Sequence, residues 1–138
     1  MYRLAGLLTV ILMSVTTLQE ACADLRNTYG MIALKSGESV ELTELYWIAN
    51  CRSILTATPT AEVMEGPSEI AVSVIEAMVV PRQQDCNKPV KGAKLIVSAK
   101  EIEDYSTAKL TVRVTYKTKD GDRQRSYSFN ATLFPKQE

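Results

Sequence analysis

The sequence predicts an all-β domain, a β-sandwich of about seven short strands behind a cleavable leader. Three observations carry that prediction. Apolar and polar residues alternate with period two near the C-terminus, turn residues punctuate the chain at about 8- to 12-residue intervals, and no long stretch carries a helical period.

The leader comes first. Arg3 supplies a positive start, Leu4 to Val15 an apolar run, and Ala21-Cys22-Ala23 the small-x-small pattern that signal peptidase cuts after. The run is short for a membrane span, which needs about 20 apolar residues, and Thr9 and Ser14 dilute it. A lipoprotein site at Cys22 would want an aliphatic residue where Gln19 stands. Residues 1–23 are therefore expected to form a signal-peptide helix in the precursor, and 24–138 the mature domain, periplasmic or secreted, with no membrane span after cleavage.

Tyr29 to Lys35 predicts the first strand, closed by Ser36-Gly37. Val40 to Ile48 fits a strand with a one-residue phase change, since Val40 and Leu42 share one phase and Leu45 and Trp47 the other; Glu41, Leu42, Leu45 and Ile48 also permit a helix. A bulged strand is favoured. Thr60 to Met64 predicts a short strand between Pro59 and Gly66. Ile70, Val72 and Val74 then alternate with Ala71, Ser73 and Ile75, and Val79-Val80 either prolongs that strand or starts a neighbour before Pro81.

Ala93 to Ala99 predicts the next strand, with Leu95 and Val97 on one face, and Glu101 to Ser106 a helical turn at most. The pattern is clearest beyond it. Leu110, Val112, Val114 and Tyr116 alternate with polar residues, as do Tyr127, Phe129, Ala131 and Leu133, and Asp120-Gly121 between them signals a tight hairpin turn. Pro135 ends the last strand.

Composition narrows the function. The 138-residue chain has 16 basic and 16 acidic residues. The leader removes Arg3 and Glu20 together, so the mature domain is also neutral and lacks the basic footprint of a nucleic-acid binder. Acids outnumber bases from Asp24 to Asp85, and bases outnumber acids from Lys91 onward. In a sandwich these halves become neighbouring strands, which predicts mutual compensation across the surface.

Cleavage also leaves an even pair of cysteines, Cys51 and Cys86, expected to form a disulfide in an oxidising compartment. Their separation of 35 residues corresponds to roughly 4 kcal/mol of chain-entropy stabilisation before strain.

No histidine occurs in the chain, which removes the usual general base and zinc ligand, and no Gly-x-Ser-x-Gly, Ser-x-x-Lys or glycine-rich phosphate loop replaces it. The expectation is a protein that is not an enzyme and carries no cofactor or metal. The acids at Glu101, Glu103, Asp104, Asp120 and Asp122 follow no EF-hand spacing and read as solvated loops.

Three segments are candidate interaction surfaces. Tyr46 and Trp47 beside Arg52 bring together residue types that dominate binding hot spots, though a lone Trp in a small β domain is more often core. Arg82 to Lys88 is a polar loop that the disulfide would hold rigid. Lys117, Lys119, Arg123 and Arg125 surround Asp120 and Asp122 at the last hairpin, an arrangement suited to internal ion pairing or to an acidic partner.

Asn50-Cys51-Arg52-Ser53, Gly66-Pro67, Val79-Val80-Pro81-Arg82, Cys86 with Val90-Lys91-Gly92, and Tyr116-Lys117-Thr118-Lys119-Asp120-Gly121 resemble small uncharacterised exported immunoglobulin-like proteins of Gram-negative bacteria. The resemblance implies an immunoglobulin-like β-sandwich and export, and no particular chemistry. Antibody-type domains differ: their buried Trp follows the first Cys, whereas Trp47 precedes Cys51, and Gln84 stands where their Tyr precedes the second Cys. The expected role is a protein or cell-envelope contact. An alternative is a secreted hydrolase inhibitor using the loop from Arg82 to Lys88.

Overall fold

The computed structural model describes residues 30–83 and 85–137, so the expected leader at 1–23, the cut after Ala23 and Tyr29 lie outside the described residues. Every helix or strand element among the described residues is a strand. In chain order they are β1 (Gly30–Lys35), β2 (Ser39–Leu45), β3 (Ile48–Ala49), β4 (Arg52–Ser53), β5 (Thr60–Glu65), β6 (Ile70–Val79), β7 (Val90–Ala99), β8 (Ser106–Thr118) and β9 (Gly121–Phe134).

They form a four-stranded sheet in the order β1-β9-β8-β5, a three-stranded sheet in the order β2-β7-β6, and the small pair β3-β4. β1 runs parallel to β9 from Gly30 opposite Phe129 to Lys35 opposite Phe134; the other pairings are antiparallel. One hydrophobic cluster draws from both larger sheets. It joins Leu34, Leu45, Leu95 and Val97 to Leu110, Val112, Val114, Tyr116, Phe129 and Leu133. Each Val or Leu so buried contributes roughly 1.5–3 kcal/mol.

The alternation of β8 and β9 is visible in their burial: Leu110, Val112, Val114 and Tyr116 are buried on one strand, Tyr127, Phe129, Ala131 and Leu133 on the other. β2 carries the expected phase change as a register shift between Glu41 and Thr43, which lets Val40 face Val97 and Leu45 face Ala93 on the same side of the sheet. The bulge is why both phases can point inward.

Several expectations are corrected. β2 stops at Leu45 rather than Ile48, and Ile48–Ala49 turns into a separate hairpin with Arg52–Ser53. β7 begins at Val90, three residues earlier than its apolar pattern suggests, because Lys91 and Gly92 pair with Met78 and Ala77. Glu101 to Ser106 forms no helical turn. Ile102 is buried there and its N–H donates to Ser36 Oγ at 3.0 Å, while Ser106 already belongs to β8.

At the last hairpin Lys119 and Asp120 form a two-residue loop between Thr118 and its strand partner Gly121, whose φ of 102° is a backbone conformation that favours glycine. Thr118 Oγ1 donates to Gly121 O at 2.7 Å and accepts from Asp120 N–H at 3.2 Å. The ion pairing expected at this tip is not found among the described residues.

Ion pairs instead bridge neighbouring strands. Glu41 meets Lys94 at 3.0 Å, Glu76 Lys91 at 3.3 Å, Glu62 Arg113 at 3.7 Å and Glu65 Lys109 at 3.9 Å. Each joins an acid of the first half to a base of the second, the compensation that the uneven charge distribution predicts.

Candidate functional site

The site begins where β2 ends: after the bulge the strand stays paired with β7 as far as Leu45, and Tyr46 and Trp47 follow directly. Trp47 is half-buried. Its ring lies 5.2 Å from that of Tyr116, centroid to centroid, at an interplanar angle of 57°. The Arg125 guanidinium also sits 4.4 Å from the ring centroid, a cation–π contact worth about 0.5–1 kcal/mol at a partly exposed site.

Tyr116 and Tyr127 stand side by side on β8 and β9, with hydroxyl oxygens 2.7 Å apart. Burial pushes the Tyr116 phenol far above the ordinary tyrosine value, and the neighbouring Tyr127 adds to the shift. Tyr116 therefore keeps its proton. One O–H is spent within the pair, which leaves the second as a donor.

The loop after β6 closes the site from the opposite side. The Arg82 backbone N–H donates to Tyr46 Oη at 3.3 Å, which ties that loop to the end of β2. Together these groups line a cleft of about 540 Å³, whose walls include Glu41, Leu42, Thr43, Glu44, Tyr46, Arg82, Gln83, Tyr116, Arg125 and Tyr127.

Its electrostatics favour donors. Glu41 is held by Lys94. Neither the Arg82 nor the Arg125 guanidinium is ion-paired with a described carboxylate, so two cations and the phenolic donors oppose Glu44, the unpaired acid among the described lining residues.

The disulfide supports this arrangement from outside. Cys51 and Cys86 are joined with Cα atoms 5.4 Å apart, linking the β3–β4 turn to the loop between β6 and β7. Asn50 and Cys51, at φ 50° and 58°, are the two central residues of that turn, the positive-φ pair of a tight hairpin. Cys86 is buried, as are Val79 and Val90 at the adjoining strand ends.

Of the nine residues that the sequence offers as an interaction surface, the structure gathers Tyr46, Trp47, Arg82 and Arg125 around the cleft. Arg52, Lys88, Lys117, Lys119 and Arg123 are exposed and are not among its described lining residues. Lys117 and Lys119 are tied through their backbones: Lys117 O accepts from Thr56 N–H at 2.9 Å, and Lys119 N–H donates to Ile54 O at 3.0 Å.

Glu41, Glu44, Tyr116 and Tyr127 are the residues that sequence reasoning missed. Alternation marks the two tyrosines as inward-facing; it does not show that their hydroxyls end at an opening.

Among the described residues no three His, Cys, Asp or Glu side chains gather as a metal site, and no helix is long and apolar enough to cross a membrane. No protein-family model, curated protein or solved structure matches the chain.

Proposed function

We propose that this chain is an exported, non-catalytic immunoglobulin-like β-sandwich that works by protein or cell-envelope contact, with the cleft beneath Arg125 as its contact site. The strand orders support the fold: β2-β7-β6 and β9-β8-β5 correspond to the B-E-D and G-F-C orders of immunoglobulin-like domains, with β1 added beside β9. A disulfide is in keeping with export to an oxidising compartment.

The observation that carries the functional reading is the meeting of Tyr46, Trp47, Arg82 and Arg125, from three separate segments, at one donor-rich cleft. Trp, Tyr and Arg are the side chains that dominate contact energies once desolvated. A rigid tyrosine pair and a guanidinium held over an indole lose little freedom when a ligand arrives.

Capture from a cell-envelope extract tests it. The chain is expected to retain a discrete partner that the Arg82→Ala/Arg125→Ala variant loses and a Lys109→Ala control keeps. Equal retention by all three would remove the cleft from the interface. A retained hydrolase whose activity falls on binding would favour the inhibitor alternative built on the loop from Arg82 to Lys88.

A further inference from the structure

β9 is 14 residues long, yet β1 covers it only from Phe129 to Phe134. From Gly121 to Ser128 it pairs with β8 on one side and with no described strand on the other. Alternate N–H and C=O groups along that edge therefore point away from β8, and no other described backbone group meets them. An unpaired edge of this kind is a template for an added strand.

The edge and the cleft are one feature. Tyr127 and Arg125, which line the cleft, lie on this uncovered part of β9, and Arg123 follows two residues further along the same face. Successive residues on one face of a strand are roughly 6.6–7 Å apart. A strand laid beside β9 would thus carry its own alternate side chains past Arg125 and Arg123.

We infer that this edge accepts an extended acidic segment of a partner protein as an added strand, its alternate carboxylates meeting Arg125 and Arg123 at the mouth of the cleft. The inference rests on the reading of the cleft as the contact site. Charge selects the occupant: Arg125 and Arg82 have no described carboxylate partner, Glu41 is taken by Lys94, and the tyrosine pair adds a donor.

Other occupants fit less well. A second copy using the same edge brings arginines together. The chain's own residues before Gly30, continued in the register of β1, would set Asp24 opposite Arg123 but Arg26 opposite Arg125, and like charges directly opposite each other destabilise a strand pair.

The probes are two synthetic peptides, one alternating Glu with Thr and one alternating Gln with Thr. The readouts are the emission of Trp47, the chain's single Trp, and titration calorimetry, which does not depend on the ring. The Glu peptide is expected to bind saturably and shift the emission, with the Gln peptide weaker by about tenfold or more. Methylating alternate peptide nitrogens on the edge-facing side should weaken binding to a similar degree.

The Arg123→Glu/Arg125→Glu variant, checked for a folded-state circular dichroism spectrum at the assay temperature, should lose the Glu peptide and gain one alternating Lys with Thr. Absence of binding, equal binding of the Glu and Gln peptides, or binding that appears only after residues 24–29 are removed would overturn the inference. If the peptides fail while Arg82→Ala/Arg125→Ala still loses its envelope partner, the contact site stands and only the acidic strand falls. If both fail, the cleft is not the contact site.

Discussion

Arg125 matters because its charge has a ring beneath it and no described acid beside it. Removing it should change Trp47 more than it changes the fold: Arg125→Ala is expected to alter the emission spectrum with a loss of at most about 1 kcal/mol in urea unfolding. The tyrosine pair below is a stability element as well. Tyr127→Phe deletes one side of the 2.7 Å hydroxyl contact and should cost about 0.5–1.5 kcal/mol in the same measurement.

The raised Tyr116 value also fixes a pH dependence. Below the ordinary tyrosine value of 10.0 both folded and unfolded chains hold the proton. Above it the unfolded chain ionises while folded Tyr116 does not, so stability falls as pH rises past that value. Tyr116→Phe removes this group's share, and its stability curve above pH 10 should be flatter than that of the parent chain; an identical slope would show that Tyr116 titrates normally.

At the scale of elements, the bulge, the bridge and one glycine fix the outline of the cleft. Gly92 lies where an added Cβ would sit 2.5 Å from Leu45 O and 2.7 Å from a Val79 methyl. The first of these is backbone and cannot swing aside. Gly92→Ala should therefore destabilise by about 1–3 kcal/mol, read by chemical unfolding. Replacing Cys51 and Cys86 together by serine should cost about 2–5 kcal/mol and free the β3–β4 turn, which hydrogen exchange at Ile48 to Ser53 would report.

How much of this was legible follows from the same elements. β8 and β9 announce themselves because one face is buried and the other wet over many residues, and the β2 bulge shows as a change of phase between Leu42 and Leu45. β3 and β4 are two residues each, too short for any period. Their turn uses Asn50 and Cys51 at positive φ where a glycine would have advertised it.

At the scale of the molecule, the cleft exists because β9 runs on past the start of β1 while the β2 bulge and the bridged loop approach from the other side. None of this depends on local residue preference. It depends on how the strands are offset, and the parallel register of β1 against β9 joins positions about 100 residues apart. The sequence therefore marks Trp47, Arg82 and Arg125 as separate candidates without showing that they meet.

The contact role of that meeting point has a direct test in a photo-crosslinking side chain placed at position 125, with a control at the exposed Lys91 of β7, which is not among the described residues lining the cleft, in cells that produce the chain. The expected result is one discrete protein adduct from position 125 and none of matching size from position 91. Adducts of the same pattern from both positions, or none from position 125, would contradict it.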